Sequence, residues 1–330
     1  MSSAFQSLRR LGVVAASVVA MVSCEEKELC FEHPHAANIS VRADWTDFAA
    51  CEEPTGMTVR FYPRHLDYVR TVTTNDITYA ETYLRRDVYD ILVFNQSPSE
   101  FGTITFADFD HFDKATAYAA PRTSAWYVTK ATEQLVHNPE WLGIDTSMGH
   151  NVTQEMLDDG KVHQIATLHP TPLTKRVRII VHLKNIYNLA STRASLGGMA
   201  AGCLLSKRTP TAAAATQLFE SWSISYDKDN FNNGAITGEA LSFGLPQGHG
   251  GYAGSNQLSL SFLLVDQKTV VNEDLYVGNL FKYDAEKDEY TVEVSIAKPL
   301  PDVDVDAAGG SGFDASVDEW GENVNIDLEF

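Results

Sequence analysis

The chain has 330 residues, of which 44% are apolar and 10% aromatic, a composition typical of a globular protein that buries a core. It carries 44 acidic and 25 basic residues, which gives a formal net charge of −19. Such a charge repels phosphate backbones, and no basic cluster opposes it, so the sequence excludes nucleic acid as a favoured partner.

The first 23 residues have the layout of a secretory signal peptide. Arg9 and Arg10 close a short polar start, and residues 11–22 are apolar apart from Ser17. A run of about a dozen apolar residues is too short to cross a bilayer core of about 30 Å, which takes about 20 helical residues. We therefore predict a leader over residues 1–23. Losing its two arginines takes the net charge of the remaining chain from −19 to −21.

The end of this leader indicates a lipid anchor. The sequence Met21-Val-Ser-Cys24 resembles a bacterial lipobox, in which the thiol takes a diacylglycerol, the leader is cut before the cysteine and the new amino terminus is acylated. Several acyl chains on one residue are enough for stable anchoring. We predict lipidation at Cys24 and an outer-membrane, surface-exposed location. The alternative is an ordinary signal peptide that happens to end at a cysteine.

Three cysteines remain after Cys24, and two of them are candidates for a disulfide. Cys30 and Cys51 would close a loop of about 20 residues, worth about 3 kcal/mol if their Cα atoms come close enough. Cys203 lies in a run of small and apolar residues and is predicted to be a buried thiol.

After a tether over residues 24–36, the first half of the chain has a β pattern. Apolar residues alternate from Ile39 to Trp45, and the short run from Met57 to Tyr62 stops at Pro63. The run Val88–Phe94 is continuously apolar, which is typical of a strand buried on both faces. Further predicted strands are 101–109 and 124–128, and a short helix is predicted over 151–157.

Two prolines in His169-Pro-Thr-Pro172 favour an extended connector, so we place a domain boundary near residue 170. The predicted domains are therefore 37–169 and 170–330. Beyond the boundary, strands are predicted over 174–183, 194–206, 217–226, 235–245, 257–266, 270–283, 289–297 and 323–330. Many short strands separated by turns predict an all-β fold made of two β-sandwiches in series.

The sequence contains no recognisable catalytic constellation. There is no His-Glu-x-x-His, no Gly-x-Ser-x-Gly elbow and no paired Cys-x-x-Cys, and the spacing of the carboxylates singles out no acid and base. His33 and His35 could supply two metal ligands, but no third ligand is evident nearby. We predict a protein without enzymatic activity, metal or cofactor.

Aromatic residues leave a binding function open. Five of them, which could stack on sugar rings, are Trp126, Tyr127, Trp141, Trp222 and Trp320. Aromatic residues in sandwiches more often pack in the core or at its rim. A glycan-binding surface lipoprotein of a polysaccharide-uptake system is therefore the alternative to a structural role.

Three features together resemble a known family. They are the lipobox followed by Lys27-Glu-Leu-Cys-Phe-Glu-His-Pro-His35, the all-β first half, and a second half with an alternating strand at Arg176 followed by Arg193-Ala-Ser-Leu-Gly-Gly-Met-Ala. This layout resembles the fimbrial lipoproteins of Bacteroidetes, the fimbrillin-like anchoring or accessory subunits. The acidic run Glu25–Glu28 is either a solvated spacer or resembles the surface-export signal of lipoproteins in that group.

The resemblance implies two transthyretin-like β-sandwiches, fimbrillin-type subunits as partners and assembly by strand exchange. An open sheet edge would accept a strand with alternating apolar side chains. Residues 324–330 have that pattern, with Val324, Ile326, Leu328 and Phe330 on one face. Such a strand is either donated to a neighbour or, as we favour, closes its own domain. The sequence does not distinguish an anchor from a tip or accessory subunit.

Overall fold

The structure is a computed structural model that describes residues 35–129, 133–246 and 256–304. Strands dominate these residues, and the α-helices among them are single turns, so the predicted all-β fold of sandwiches is confirmed. The leader, Cys24, Cys30 and residues 324–330 lie outside the described residues. The division into domains at residue 170 stays a prediction. No helix among the described residues is long and apolar enough to cross a membrane.

The first half of the chain forms a β-sandwich from two sheets. Sheet I has the strand order β4-β1-β9, and sheet II has the order β10-β8-β5-β2-β3. The elements are β1 Ala37–Ala43, α1 Thr46–Ala49, β2 Met57–Pro63, β3 Arg70–Thr74, β4 Tyr79–Leu84, β5 Asp87–Asn95, β6 Ile104–Ala107, β7 Thr116–Ala119, β8 Gly143–Val152, α2 Gln154–Asp158, β9 Val162–Leu168 and β10 Thr171–Pro172.

Hydrophobic patterning explains the central strands of this sandwich. The alternation in β1 buries Ile39 and Val41 against sheet II, as the period of two predicts. In β5, Ile91 and Val93 face this first core, whereas Leu92 and Phe94 face a separate core on the other side of sheet II. The prediction that this strand is buried on both faces is therefore confirmed.

The second half forms another sandwich. Sheet IV has the order β16-β17-β11-β21-β20, and sheet V has the order β15-β12-β18-β19. The strands are β11 Lys175–Lys184, β12 Leu189–Ala200, β13 Gly202–Leu204, β14 Thr209–Pro210, β15 Ala214–Phe219, β16 Trp222–Tyr226, β17 Asn233–Ser242, β18 Gln257–Leu264, β19 Val270–Tyr276, β20 Phe281–Asp284 and β21 Glu289–Ser295.

The two sandwiches repeat one topology. In each, the opening strand pairs antiparallel with one neighbour and parallel with the last strand, as β1 does with β4 and β9, and β11 with β17 and β21. The facing sheets β3-β2-β5-β8 and β15-β12-β18-β19 also correspond strand by strand. Strands β16 and β20 are additions at the two edges of sheet IV.

Insertions from both halves join in a small sheet. Strands β6 and β7 are inserted before β8, and β13 and β14 are inserted after β12; together they form sheet III, with the order β14-β13-β7-β6. Sheet III covers the outer face of sheet II over a core that includes Phe94, Leu205 and Phe243. Arg208, in the β13–β14 turn, donates hydrogen bonds to the carbonyl oxygens of Ile144 (2.9 Å) and Pro172 (2.8 Å). This core and Arg208 both contribute to holding the two halves together.

Some predicted strands differ in the structure. Residues 124–128 form no strand, because the Ser124 hydroxyl accepts hydrogen bonds from the backbone N–H groups of Trp126 and Tyr127 and turns the chain. The strands predicted over 217–226 and 270–283 are each two strands that cross from sheet V to sheet IV.

Candidate functional site

The edges of the second sandwich differ in how well they are covered. An edge strand presents unpaired backbone N–H and C=O groups with which another strand can pair. The edge of β15 is already occupied by residues 134–136. The Val136 N–H donates a hydrogen bond to the Thr216 carbonyl oxygen (3.0 Å), and the Thr216 N–H donates one to the Gln134 carbonyl oxygen (2.8 Å). Strands β16, β19 and β20 form the other edges of sheets IV and V.

The β16 edge, residues Trp222–Tyr226, leaves core-facing side chains exposed. Ile224 lies directly opposite Ile236 in the register with β17, so the two side chains share one face of sheet IV. Ile236 is fully buried in the second core, yet Ile224 is 39% exposed and Tyr226 is 49% exposed. Sheet IV has five strands and sheet V has four, and nothing in the described part of the chain buries these two side chains fully.

A glycine of β17 makes room for an aromatic ring of this edge. Trp222 lies opposite Gly238, and Tyr226 lies opposite Gly234. A Cβ atom at Gly238 would lie 3.0 Å from ring atoms of Trp222, so the indole rests on bare backbone. Aromatic side chains packed over cross-strand glycines compensate for the missing side chain and fix the register. The β16 edge is thus an ordered strand.

Charge distinguishes the β16 edge from the others. Its sequence Trp-Ser-Ile-Ser-Tyr has no charged residue, whereas β19 carries Glu273 and Asp274. Strand β20 is only four residues long and carries Lys282 and Asp284. Charged and short edge strands discourage pairing with other chains, and long uncharged apolar ones permit it. The β16 edge is therefore our candidate docking site.

A cleft in the first sandwich is a second feature of the surface. It has a volume of about 960 Å³ and lies between the ends of β2, β5 and β8 and the segment 110–114. Arg64 forms a salt bridge with Asp90 in it (2.7 Å), and Phe112 packs edge-on against Tyr62. Its carboxylates are Asp67, Asp90, Asp110 and Asp113, whereas its cations are Arg64 and Lys114. The lining would repel anionic ligands.

The structure describes only part of the predicted sites. Cys24, Cys30 and His33 lie outside the described residues, and His35 lies at their start. Cys51 is exposed just after α1, and Cys203 is buried, as predicted. In the described ranges, no three His, Cys, Asp or Glu side chains are grouped closely enough to hold a metal ion. The pairing of Cys30 with Cys51 stays a prediction.

Thiol labelling tests that pairing. Burial raises the pKa of the Cys203 thiol to about 12, so we expect it to stay unmodified in the native protein. If Cys30 and Cys51 are paired, native protein should react with an aromatic disulfide reagent at Cys51 only after reduction. A Cys30→Ser variant should react there without reduction. Equal labelling of Cys51 in both proteins before reduction would contradict the disulfide.

The aromatic residues considered for sugar binding do not form one platform. The Trp126 indole donates a hydrogen bond to Glu220 (2.8 Å), and the Arg193 guanidinium lies 5.6 Å from its ring centre. Trp141 packs against the core of the first sandwich, and Trp222 packs against that of the second. Trp320 lies outside the described residues. The described tryptophans are thus dispersed over both halves.

These features define a class of protein in which two all-β sandwiches of the same topology are linked by a third small sheet. The chain belongs to the family described as a domain of unknown function, DUF5119, whose sequence profile matches residues 23–220. No curated protein matches its sequence.

Several solved structures are similar to this chain. A candidate adhesin from Bacteroides ovatus is 14% identical, with a TM-score of 0.56 over 81% of this chain and 94% of that chain. The fimbrial anchor protein Mfa2 from Porphyromonas gingivalis is 11% identical, with a TM-score of 0.48 over 79% of this chain and 90% of its own. Candidate polysaccharide-binding proteins from Bacteroides thetaiotaomicron are 10% identical, with a TM-score of 0.45 over 78% and 90%. The first of these structures shows that the chain shares its fold with a candidate adhesin of a Bacteroides species, which agrees with the predicted resemblance to surface proteins of Bacteroidetes.

Proposed function

We propose that this protein is a non-catalytic, lipid-anchored subunit of a fimbrium on the cell surface, with an anchor, tip or accessory role. The observation that carries the proposal is the fold that it shares with a candidate adhesin over 94% of that protein's length. Acyl chains on Cys24 would hold the chain at the outer membrane. Fold alone does not fix function, so the proposal depends on two physical features that can be tested separately.

The first feature is a sheet edge suited to strand addition. A strand added to β16 would pair with its free backbone groups and cover Ile224 and Tyr226 with its own apolar side chains. Burying a fully exposed apolar side chain contributes about 1.5–3 kcal/mol, so covering the exposed 39% of Ile224 and 49% of Tyr226 contributes roughly half of that for each, in addition to the backbone hydrogen bonds. Contact with neighbouring subunits through this edge requires no catalytic group.

The second feature is the anchor, and its removal gives a direct prediction. Cys24→Ala should move the protein from the membrane fraction to the soluble secreted fraction, because the described residues offer no membrane-spanning helix in its place. The measurement is an immunoblot of both fractions. Cys51→Ala, which alters a thiol outside the lipobox, should leave membrane retention unchanged. A Cys24→Ala protein that stays quantitatively in the membrane fraction would rule out the anchor.

The partners are tested by isolation of the protein from its native outer membrane. The tagged, lipidated chain is pulled down, and the proteins that accompany it are identified and quantified by mass spectrometry. Recovery of fimbrillin-type subunits is the result we expect, and their stoichiometry would separate an anchor from a tip. Recovery of an outer-membrane transporter with glycan-handling lipoproteins would instead favour the glycan-binding alternative.

A further inference from the structure

The exposed apolar side chains of β16 raise the question of what covers them in the isolated subunit. We infer that residues 324–330 of this same chain pair with β16 as an added strand and cover Ile224 and Tyr226. The inference deepens the proposed function, because both use the β16 edge. It is tested on the purified chain alone, so its failure can be told apart from a failure of the fimbrial role.

Residues 324–330 and strand β16 have matching patterns of apolar and polar side chains. Residues 324–330 place Val324, Ile326, Leu328 and Phe330 on one face and three polar residues on the other. The core-facing side of β16 presents three apolar residues, two of them well exposed, and its outer side presents only Ser223 and Ser225. An added strand in this register would direct its apolar face toward the second core and its polar face toward solvent.

The described chain ends close to this edge. Asp302 accepts hydrogen bonds from the Tyr187 hydroxyl (2.8 Å) and from the Asn188 amide group (2.9 Å). The neighbouring Ile186 donates its N–H to the carbonyl oxygen of Asn232, in the turn that joins β16 to β17. The last described residues therefore lie beside the end of β16 that carries Tyr226.

The remaining chain is long enough to reach. About 20 residues separate Asp304 from Val324, and at about 3.3–3.6 Å per extended residue they span far more than the length of a five-residue strand, which is about 17 Å. Closing a loop of this length costs little more than closing a shorter one, since the entropy cost grows only logarithmically. The position and length of the tail both permit pairing within one chain.

Charge favours β16 over β19 as the acceptor. The segment carries Asp327 and Glu329 on its polar face. At β19 these carboxylates would approach Asp274, which lies on the outer face opposite Ser259, and like charges on paired strands are destabilising. At β16 their neighbours are the uncharged Ser223 and Ser225. A partner's strand then reaches β16 only by displacing the tail.

Hydrogen–deuterium exchange of the full chain, purified in detergent, tests the inference. Peptides covering 222–226 should exchange at least about tenfold more slowly in the full chain than in a chain that ends at Glu322. Leu328→Asp keeps the length and should also abolish the protection, because it places a charge on the apolar face. Asn325→Asp introduces the same side chain on the polar face and should retain it. Peptides from β5 serve as a control for the intact fold.

Two outcomes would overturn the inference. One is equal exchange of residues 222–226 in the full, shortened and substituted chains, which would mean that the tail does not cover this edge. The other is protection that rises with protein concentration together with dimers in sedimentation, which would place the tail on a second copy. Protection that is independent of concentration in a monomer supports pairing within one chain.

Discussion

Phe94→Ala is expected to lower the free energy of unfolding by about 3–5 kcal/mol, the range for large-to-small changes at buried phenylalanines. Phe94 is fully buried in the core between sheets II and III. Its ring centre lies 5.5 Å from that of Phe106 and 5.6 Å from that of Phe109, which stack on each other at 4.8 Å. Removing the central ring leaves a cavity that these neighbours cannot fill. Equilibrium urea denaturation measures the loss.

The same substitution tests whether the halves unfold together. The core around Phe94 also includes Leu205 and Phe243 from the second half, so weakening it should speed global amide exchange in β11 as well as in β5. Phe231→Ala removes a side chain that is 70% exposed and should change stability by no more than about 0.5 kcal/mol. Unchanged exchange in β11 would mean that the halves are energetically independent.

The sequence predicted the strands whose side chains show a strong local pattern. Alternation located β1 and β11, and the continuous apolar run identified β5 as buried on both faces. These strands lie in the middle of their sheets, where burial of one or both faces dictates the residue type. Fold class could therefore be predicted from pattern alone.

Sheet III could not be predicted in this way. Strand β7 is Thr-Ala-Tyr-Ala and β13 is Gly-Cys-Leu, too short and too small in side chain to show a period. Their pairing, Gly202 with Tyr118, joins residues far apart in sequence. Such a contact depends on the two sandwiches already being in place, which no local pattern reveals.

The sequence did not predict β16 as a separate edge strand, for a related reason. Residues 217–226 have strand-like composition throughout, and the crossing from sheet V to sheet IV at Glu220 and Ser221 has neither proline nor glycine to mark it. The uncharged Trp-Ser-Ile-Ser-Tyr run, followed by the polar turn Asp227–Asn232, was the available signal. Exposure of core-facing residues, which makes the edge a candidate docking site, is visible only in three dimensions.

Asp87→Asn is expected to lower the free energy of unfolding by about 2–3 kcal/mol at pH 7, because it disturbs a buried carboxylate that satisfies several donors. Asp87 accepts hydrogen bonds from the backbone N–H groups of His65 (3.0 Å), Leu66 (2.9 Å) and Val88 (2.7 Å). Its side chain also bonds the His65 ring, at 2.6 Å. These bonds hold the loop that forms one wall of the first sandwich's cleft, which Leu66 lines.

The pH dependence of stability tests whether the charged carboxylate of Asp87 is the source of this stabilisation. Burial raises the pKa of Asp87, but the hydrogen bonds from His65, Val88 and Leu66 together outweigh it and hold the pKa below its ordinary value. A group whose pKa is lowered by folding stabilises the native state above its unfolded pKa of about 4 and loses that contribution as the pH falls through the folded pKa. The difference in free energy of unfolding between wild type and Asp87→Asn should therefore shrink in urea titrations below about pH 4.

Asp67→Asn, at an exposed carboxylate of the same loop, is the control and should cost no more than about 0.5 kcal/mol at pH 7. If wild type and Asp87→Asn differ in free energy of unfolding by the same amount at pH 7 and at pH 3, the loss of stability comes from the changed shape of the side chain and not from its lost charge.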